Sequence, residues 1–164
     1  MKRIDSASTQ QRPAPKGRLG ARELLLYVED DDSNWQVAQL RLSQGYELVR
    51  AANAAEACRV LAARGRDLAA ILMDIELRGS ELNGVALTRL IRGKPLMKER
   101  PSYAEGLPSL MHTAIIFVTA HGAKYSEDQL LAAGGNKVIA KPVDFGALSL
   151  ALTELHLMRA ARRK

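Results

Sequence analysis

Leu68-Ala69-Ala70-Ile71-Leu72-Met73-Asp74 is the stretch that decides the fold: six apolar residues of strand length end abruptly on an acid. A near-continuous apolar run of that length suits a strand covered on both faces. Four other runs read the same way: Leu24-Leu25-Leu26-Tyr27-Val28, Glu47-Leu48-Val49-Arg50-Ala51, Ala114-Ile115-Ile116-Phe117-Val118 and Lys137-Val138-Ile139-Ala140. The segments between them carry helix punctuation. Ser33…Gln36, Asn53…Glu56 and Ser126…Gln129 each place a capping side chain three residues before a Glu or Gln, and Gly45, Gly65 and Gly134 stand where helices would stop. From about Phe145 the chain puts Leu148, Ala151, Leu152 and Leu155 on one helical face. Strand then helix, five times over, predicts an α/β fold with one parallel sheet and helices on both faces.

Size and charge narrow the rest. The chain has 164 residues, enough for one well-buried domain, with 47% hydrophobic and 26% charged residues. No apolar stretch nears the roughly 18 residues of a membrane span, so no membrane insertion is expected. The N-terminal region lacks the apolar core of a signal peptide, and a single cysteine, Cys58, cannot form an intrachain disulfide. A cytoplasmic protein is the expectation.

The net charge of +6 is carried by the ends. Residues 1–22 have six Lys/Arg against Asp5, and residues 157–164 have four and no acid, which leaves the remainder acidic by three. Such ends can meet nucleic acid, acidic lipid or an acidic protein surface, but a solubilising role is the plainer reading and nucleic-acid binding is not expected. Residues 1–21, rich in Ser, Gln, Pro, Gly and Arg, predict a flexible basic arm, 22–158 the folded domain and 159–164 a basic tail. Residues 93–114, with Pro95, Pro101, Gly106 and Pro108, are longer than an ordinary connection.

In an open parallel sheet, ligands sit beyond the carboxyl ends of the strands. Glu29, Asp30, Asp31 and Asp32 follow the first run, Asp74 the third, Thr119 the fourth and Lys141-Pro142 the fifth. Acids gathered there without counter-charge would repel, so the cluster calls for a hard, oxygen-preferring cation such as Mg²⁺. A carboxylate beside such an ion, with an amine and a hydroxyl for the oxygens of a phosphoryl group, suits formation of an aspartyl phosphate.

Val28-Glu29-Asp30-Asp31-Asp32-Ser33-Asn34, Leu72-Met73-Asp74-Ile75-Glu76-Leu77 with Asn83-Gly84, Phe117-Val118-Thr119-Ala120-His121 and Ile139-Ala140-Lys141-Pro142-Val143 resemble, in order, the four signatures of response-regulator receiver domains. The resemblance covers about residues 23–158. It implies a flavodoxin-like sheet of order 2-1-3-4-5. It implies Asp74 as phosphoacceptor and Thr119 and Lys141 as the groups that meet the phosphoryl oxygens. Mg²⁺ would be held by Glu29, Asp30 and Asp74, with the main-chain carbonyl of Glu76. It also implies a cis Lys141-Pro142 bond, and an influence of Glu76 and His121 on loss of the phosphoryl group. The partners implied are a sensor histidine kinase or phosphotransfer protein and a downstream target protein, with a homodimer left open. Such a protein turns over no separate substrate; it catalyses only its own phosphorylation and dephosphorylation. As no output module follows residue 158 in this sequence, the expected output is a binding event.

Three features depart from the family pattern. The segment Leu77–Asn83 is about two residues longer than usual and lacks Pro, which predicts a looser loop. Val138 stands where an aromatic residue is usual, three before the lysine, and the 93–114 connection is long. Two other readings remain open. A degenerate receiver would be a phosphorylation-independent scaffold. A haloacid-dehalogenase-type phosphatase would use the Asp30-Asp31-Asp32 run, but leaves Asp74 idle and needs a later acidic motif and a cap that are not visible. Asp31 and Asp32 read as acids favoured at a helix N-terminus, Cys58 as a small buried hydrophobe, and His112 and His156 as structural or surface residues.

Overall fold

The computed structural model describes residues 22–120 and 124–162. The expected arm at 1–21, His121 and the last two residues lie outside them. Five strands, β1 (Glu23–Val28), β2 (Tyr46–Ala51), β3 (Leu68–Asp74), β4 (Ala114–Thr119) and β5 (Lys137–Ala140), form one sheet of order β2-β1-β3-β4-β5. All neighbours run parallel. The helices are α1 (Asp32–Leu42), α2 (Ala54–Arg64), α3 (Gly84–Ile91), α4 (Glu127–Ala133) and α5 (Phe145–Ala161). This is the expected α/β, flavodoxin-like order. Each strand begins or ends within a residue of the apolar run that announced it.

The apolar runs split by alternation, because successive strand side chains point to opposite faces. Leu24, Leu26 and Val28 pack with Ile71, Met73, Ile115 and Phe117 beneath α2, α3 and α4. Leu25 and Tyr27 pack with Ala70, Leu72, Ile116 and Val118 beneath α1 and α5. The division of helices follows from handedness. The β1-to-β2 crossover moves one way along the sheet and the later crossovers move the other, so crossovers of one hand put α1 opposite α2, α3 and α4. The direction in which strands are added along the sheet changes at β1, which opens the cleft between the carboxyl ends of β1 and β3.

The helix ends refine the sequence reading. Asn53 caps α2 and Ser126 caps α4 in the expected capping box with Gln129. In α1 the cap is Asp31, whose side chain accepts from the Asn34 N–H, so the helix begins ahead of the expected Ser33 cap. An Asp carboxylate at that point also favours the helix dipole, as expected for Asp31 and Asp32. At the other end of the chain, α5 runs through Ala161, past the expected start of the tail at residue 159. No helix among the described residues is long and apolar enough to cross a membrane.

The two irregular connections are packed. In the segment after Asp74, Leu77 and Leu82 are buried. The Ser80 hydroxyl donates to the Leu82 carbonyl at 2.7 Å and accepts from Ala54 N–H at 3.0 Å, which pins the segment to the start of α2. The expectation of a looser loop failed because two leucines and one serine anchor it. In the 93–113 connection, Ala104 and Leu110 are buried in the core, with Leu96, Tyr103 and Leu107 packed against it.

Candidate functional site

Glu29, Asp30, Asp74, Thr119 and Lys141 line one cleft of about 460 Å³ at the carboxyl edge of the sheet. A larger cleft of about 650 Å³ lies between α3, α4 and the 93–113 connection, but it has no comparable gathering of carboxylates. One oxygen from each of Glu29, Asp30 and Asp74 lies within 4.8 Å of the others, close enough to share one cation. Three hard oxygen donors fit a magnesium-type ion better than a soft metal. Glu76 is exposed and lines the cleft, but its carboxylate is not among the three; the expectation for it concerned the main-chain carbonyl.

Asp74 closes β3, where Gly84 makes its position attainable. Gly84 N–H donates to the Ile75 carbonyl at 2.8 Å, and a Cβ at Gly84 would lie 1.8 Å from the Asp74 carbonyl oxygen. Only glycine lets the start of α3 come so near. Asn83 caps α3 and its amide donates to the Tyr125 hydroxyl at 3.1 Å, linking the segment after β3 to the one before α4.

Lys141 stands between two acids. Its Nζ lies 3.0 Å from Glu29 Oε2 and 3.1 Å from Asp74 Oδ2. Its main-chain N–H donates to the Thr119 carbonyl at 2.6 Å, and the Lys141-Pro142 bond is cis, as expected. Burial, reinforced by Glu29, pushes the Asp74 carboxyl up to about 6, while Lys141 holds it down. For Lys141 burial works against the charge, but Glu29 and Asp74 outweigh it and raise the ammonium above its ordinary range. The Thr119 side chain is turned to its own loop, donating to the Ala120 carbonyl at 3.3 Å.

Four supporting residues escaped the sequence reading. Tyr27, two before Glu29 on the same strand face, donates its buried hydroxyl to Glu29 Oε2 at 3.0 Å. The i, i+2 spacing and a lone phenol in an aliphatic strand were the available signal. Arg50, on β2, donates from Nε to the Glu29 carbonyl at 3.0 Å and from Nη2 to the Asp30 carbonyl at 2.9 Å, and pairs with Asp32 at 2.7 Å. It fixes the main chain that carries the acids. Arg78 pairs with Asp30, and Tyr125 with Asn83; both meetings join segments distant in sequence, and nothing local announces them. Elsewhere Cys58 is fully buried, and that burial pushes its thiol up to about 11, which fits a packing role. His156 pairs with Glu23 at 2.7 Å and lies outside the acidic cluster.

Comparison with known proteins agrees with the fold. The response regulator receiver domain family matches residues 25–153. The polar-differentiation response regulator DivK of Brucella anthropi is 29% identical over 120 residues, covering 73% of this chain and 84% of that protein. "Probable histidine kinase 1" of rice (Oryza sativa subsp. indica) is 31% identical over 142 residues, 74% of this chain but only 14% of the kinase. Among solved structures, a response regulator of Chloroflexus aurantiacus is 26% identical with a TM-score of 0.65, covering 83% of this chain and 98% of that one. A receiver domain protein of Clostridium thermocellum, 19% identical with a TM-score of 0.69, covers 84% and 97% and shares the fold. The chain belongs to the response-regulator receiver-domain family of two-component signalling.

Proposed function

We propose that Asp74 accepts a phosphoryl group, with Mg²⁺ bound, from a partner histidine kinase or phosphotransfer protein, and that the phosphorylated form is read by a downstream protein in the cytoplasm. The observation that carries this reading is Lys141 Nζ at 3.1 Å from Asp74 Oδ2, with Asp74 one of three carboxylates able to share one cation. Glu29, Asp30 and Asp74 would hold the ion with the Glu76 carbonyl, and a bound ion would supply positive charge to offset that of the transferring phosphoryl group. An Asp74 carboxylate oxygen forms the new bond to phosphorus as the bond to the donor breaks and the donor leaves with that electron pair. Lys141 then exchanges its contact with Asp74 for one with a phosphoryl oxygen. Thr119 turns from the Ala120 carbonyl to donate to another. The added charge of about −1.5 to −2 biases a pre-existing equilibrium.

Two alternatives are weaker on specific grounds. A phosphatase using Asp30 as nucleophile would leave buried Asp74 without a role. A scaffold indifferent to phosphorylation has no need of the Lys141 arrangement. Incubation with Mg²⁺ and acetyl phosphate should add one acid-stable, base-labile phosphoryl group by intact mass, absent in Asp74→Asn. Equal labelling of Asp74→Asn would overturn the assignment, and no labelling with any phosphodonor would favour the scaffold.

A further inference from the structure

We propose that Arg78 is a tethered competitor for the divalent cation, holding Asp30 in the resting protein and leaving before a metal ion can take that carboxylate. The inference rests on the reading of the acidic cluster as a metal site. Arg78 lies on the segment between β3 and α3, four residues after Asp74. Its Nε donates to Asp30 Oδ2 at 3.0 Å, and Nη2 reaches Asp31 Oδ2 at 3.5 Å. The main-chain N–H of Arg78 donates to the same Asp30 oxygen at 3.2 Å.

The three carboxylates of the cluster are not equally committed. Glu29 is fully buried, and its oxygens accept from Tyr27, Lys141 and the Asp31 N–H. Asp74 faces Lys141, which stays at the site in the proposed reaction. Among the described residues, Asp30 is the one of the three with a partner from the rim. The Arg78 side chain is 79% exposed and that of Asp30 is 12%, so the guanidinium covers a fixed carboxylate while most of its own surface stays in water. Such a cation can leave at little desolvation cost, because water already solvates it. A divalent ion needs the same carboxylate and would be repelled by a guanidinium still in place. The two cations therefore exclude each other, and the strength of the Arg78–Asp30 pair sets the concentration at which the metal ion binds.

The main-chain N–H survives replacement of the side chain, so Arg78→Gln removes the competing charge while Asp30 keeps one of its restraints. Magnesium titration of the full chain tests the idea, by calorimetry and by fluorescence of Trp35, the single tryptophan, at constant ionic strength. Arg78→Gln should bind Mg²⁺ on the order of threefold to tenfold more tightly than the unaltered protein, the range for loss of one exposed ion pair and one like-charge repulsion. Arg66→Gln removes the same charge at the opposite edge of the sheet and should leave the affinity unchanged. Equal or weaker binding by Arg78→Gln, with Mg²⁺ bound by the unaltered protein, overturns the inference and leaves the metal site standing. Equal tightening in Arg66→Gln overturns it as well, because net charge would then account for the effect. If neither the unaltered protein nor Arg78→Gln binds Mg²⁺, the metal site itself fails and the inference with it.

Discussion

Arg92 donates from Nη2 to Oδ1 of Asn136 at 3.0 Å, joining the end of α3 to the turn that precedes β5. The same guanidinium reaches the carbonyls of Thr113 and Gly134 at 2.8 and 3.0 Å and that of Leu110, while Asn136 Oδ1 also accepts from Ile115 N–H. A buried cation with no acid beside it among the described residues is held here by carbonyl oxygens, and burial lowers its pKa. One side chain thus clamps both ends of the extra connection to the sheet.

Arg92→Met should remove these bonds and leave several buried acceptors without a donor. A loss of about 2–4 kcal/mol is expected, read from urea unfolding at equilibrium. A loss within experimental error would mean that water replaces the guanidinium and that the clamp is dispensable.

Gly84→Ala drives its side chain into the main chain at the end of β3, since the new Cβ would sit 1.8 Å from the Asp74 carbonyl oxygen and 2.8 Å from its carbonyl carbon. Neither atom can swing aside as a side chain would. We expect at least about 2 kcal/mol of destabilisation together with slower labelling of Asp74 by acetyl phosphate. Normal stability with normal labelling would show that α3 can start farther from β3 without consequence.

The pH dependence of stability isolates Asp74. Its carboxyl titrates near 6 in the fold, mainly through burial, against about 3.9 in an unfolded chain. A raised acid gives its full stability contribution below the unfolded value and loses it as pH rises through the folded one. Asp74→Asn lacks that titration. With a chelator present, its stability advantage over the unaltered protein should grow from about pH 4 to just above pH 6 and then level off, at a size on the order of 1–3 kcal/mol. Calorimetric melting across that range measures it, and a difference independent of pH would contradict the origin in burial.

Hydrogen exchange with Mg²⁺ and beryllofluoride probes how phosphorylation is transmitted. Val138 is only half-buried against the core and has no ring to turn. Changes should appear in the residues after Thr119 and at the Asn83–Tyr125 link, with little at Val138 and continued protection of the connection clamped by Arg92. Thr119→Ala should reduce the response. A full-sized response in that variant, or one centred on Val138, would point to another route.

What the sequence alone determined was the set of strands, the sheet order implied by the family resemblance, and which residues would stand at its carboxyl edge. The physical reason is local: an apolar run of strand length must be covered on both faces, and polar residues directly after it have only the edge to occupy. The Asn53 cap and the Ser126–Gln129 capping box were legible for the same reason, since a cap and its partner are three residues apart, whereas the Ser33 cap expected for α1 gave way to Asp31. Tertiary structure alone decided who neutralises whom. Arg50 and Glu29 are separated by 21 residues, Arg78 and Asp30 by 48, and Lys141 and Glu29 by 112. It also decided that the long segments after Asp74 and after α3 are anchored, by Ser80 on α2 and by Arg92 on the sheet. Composition marked those segments as irregular, but their order comes from hydrogen bonds to groups brought near by the folding of the rest, and no local pattern records such partners.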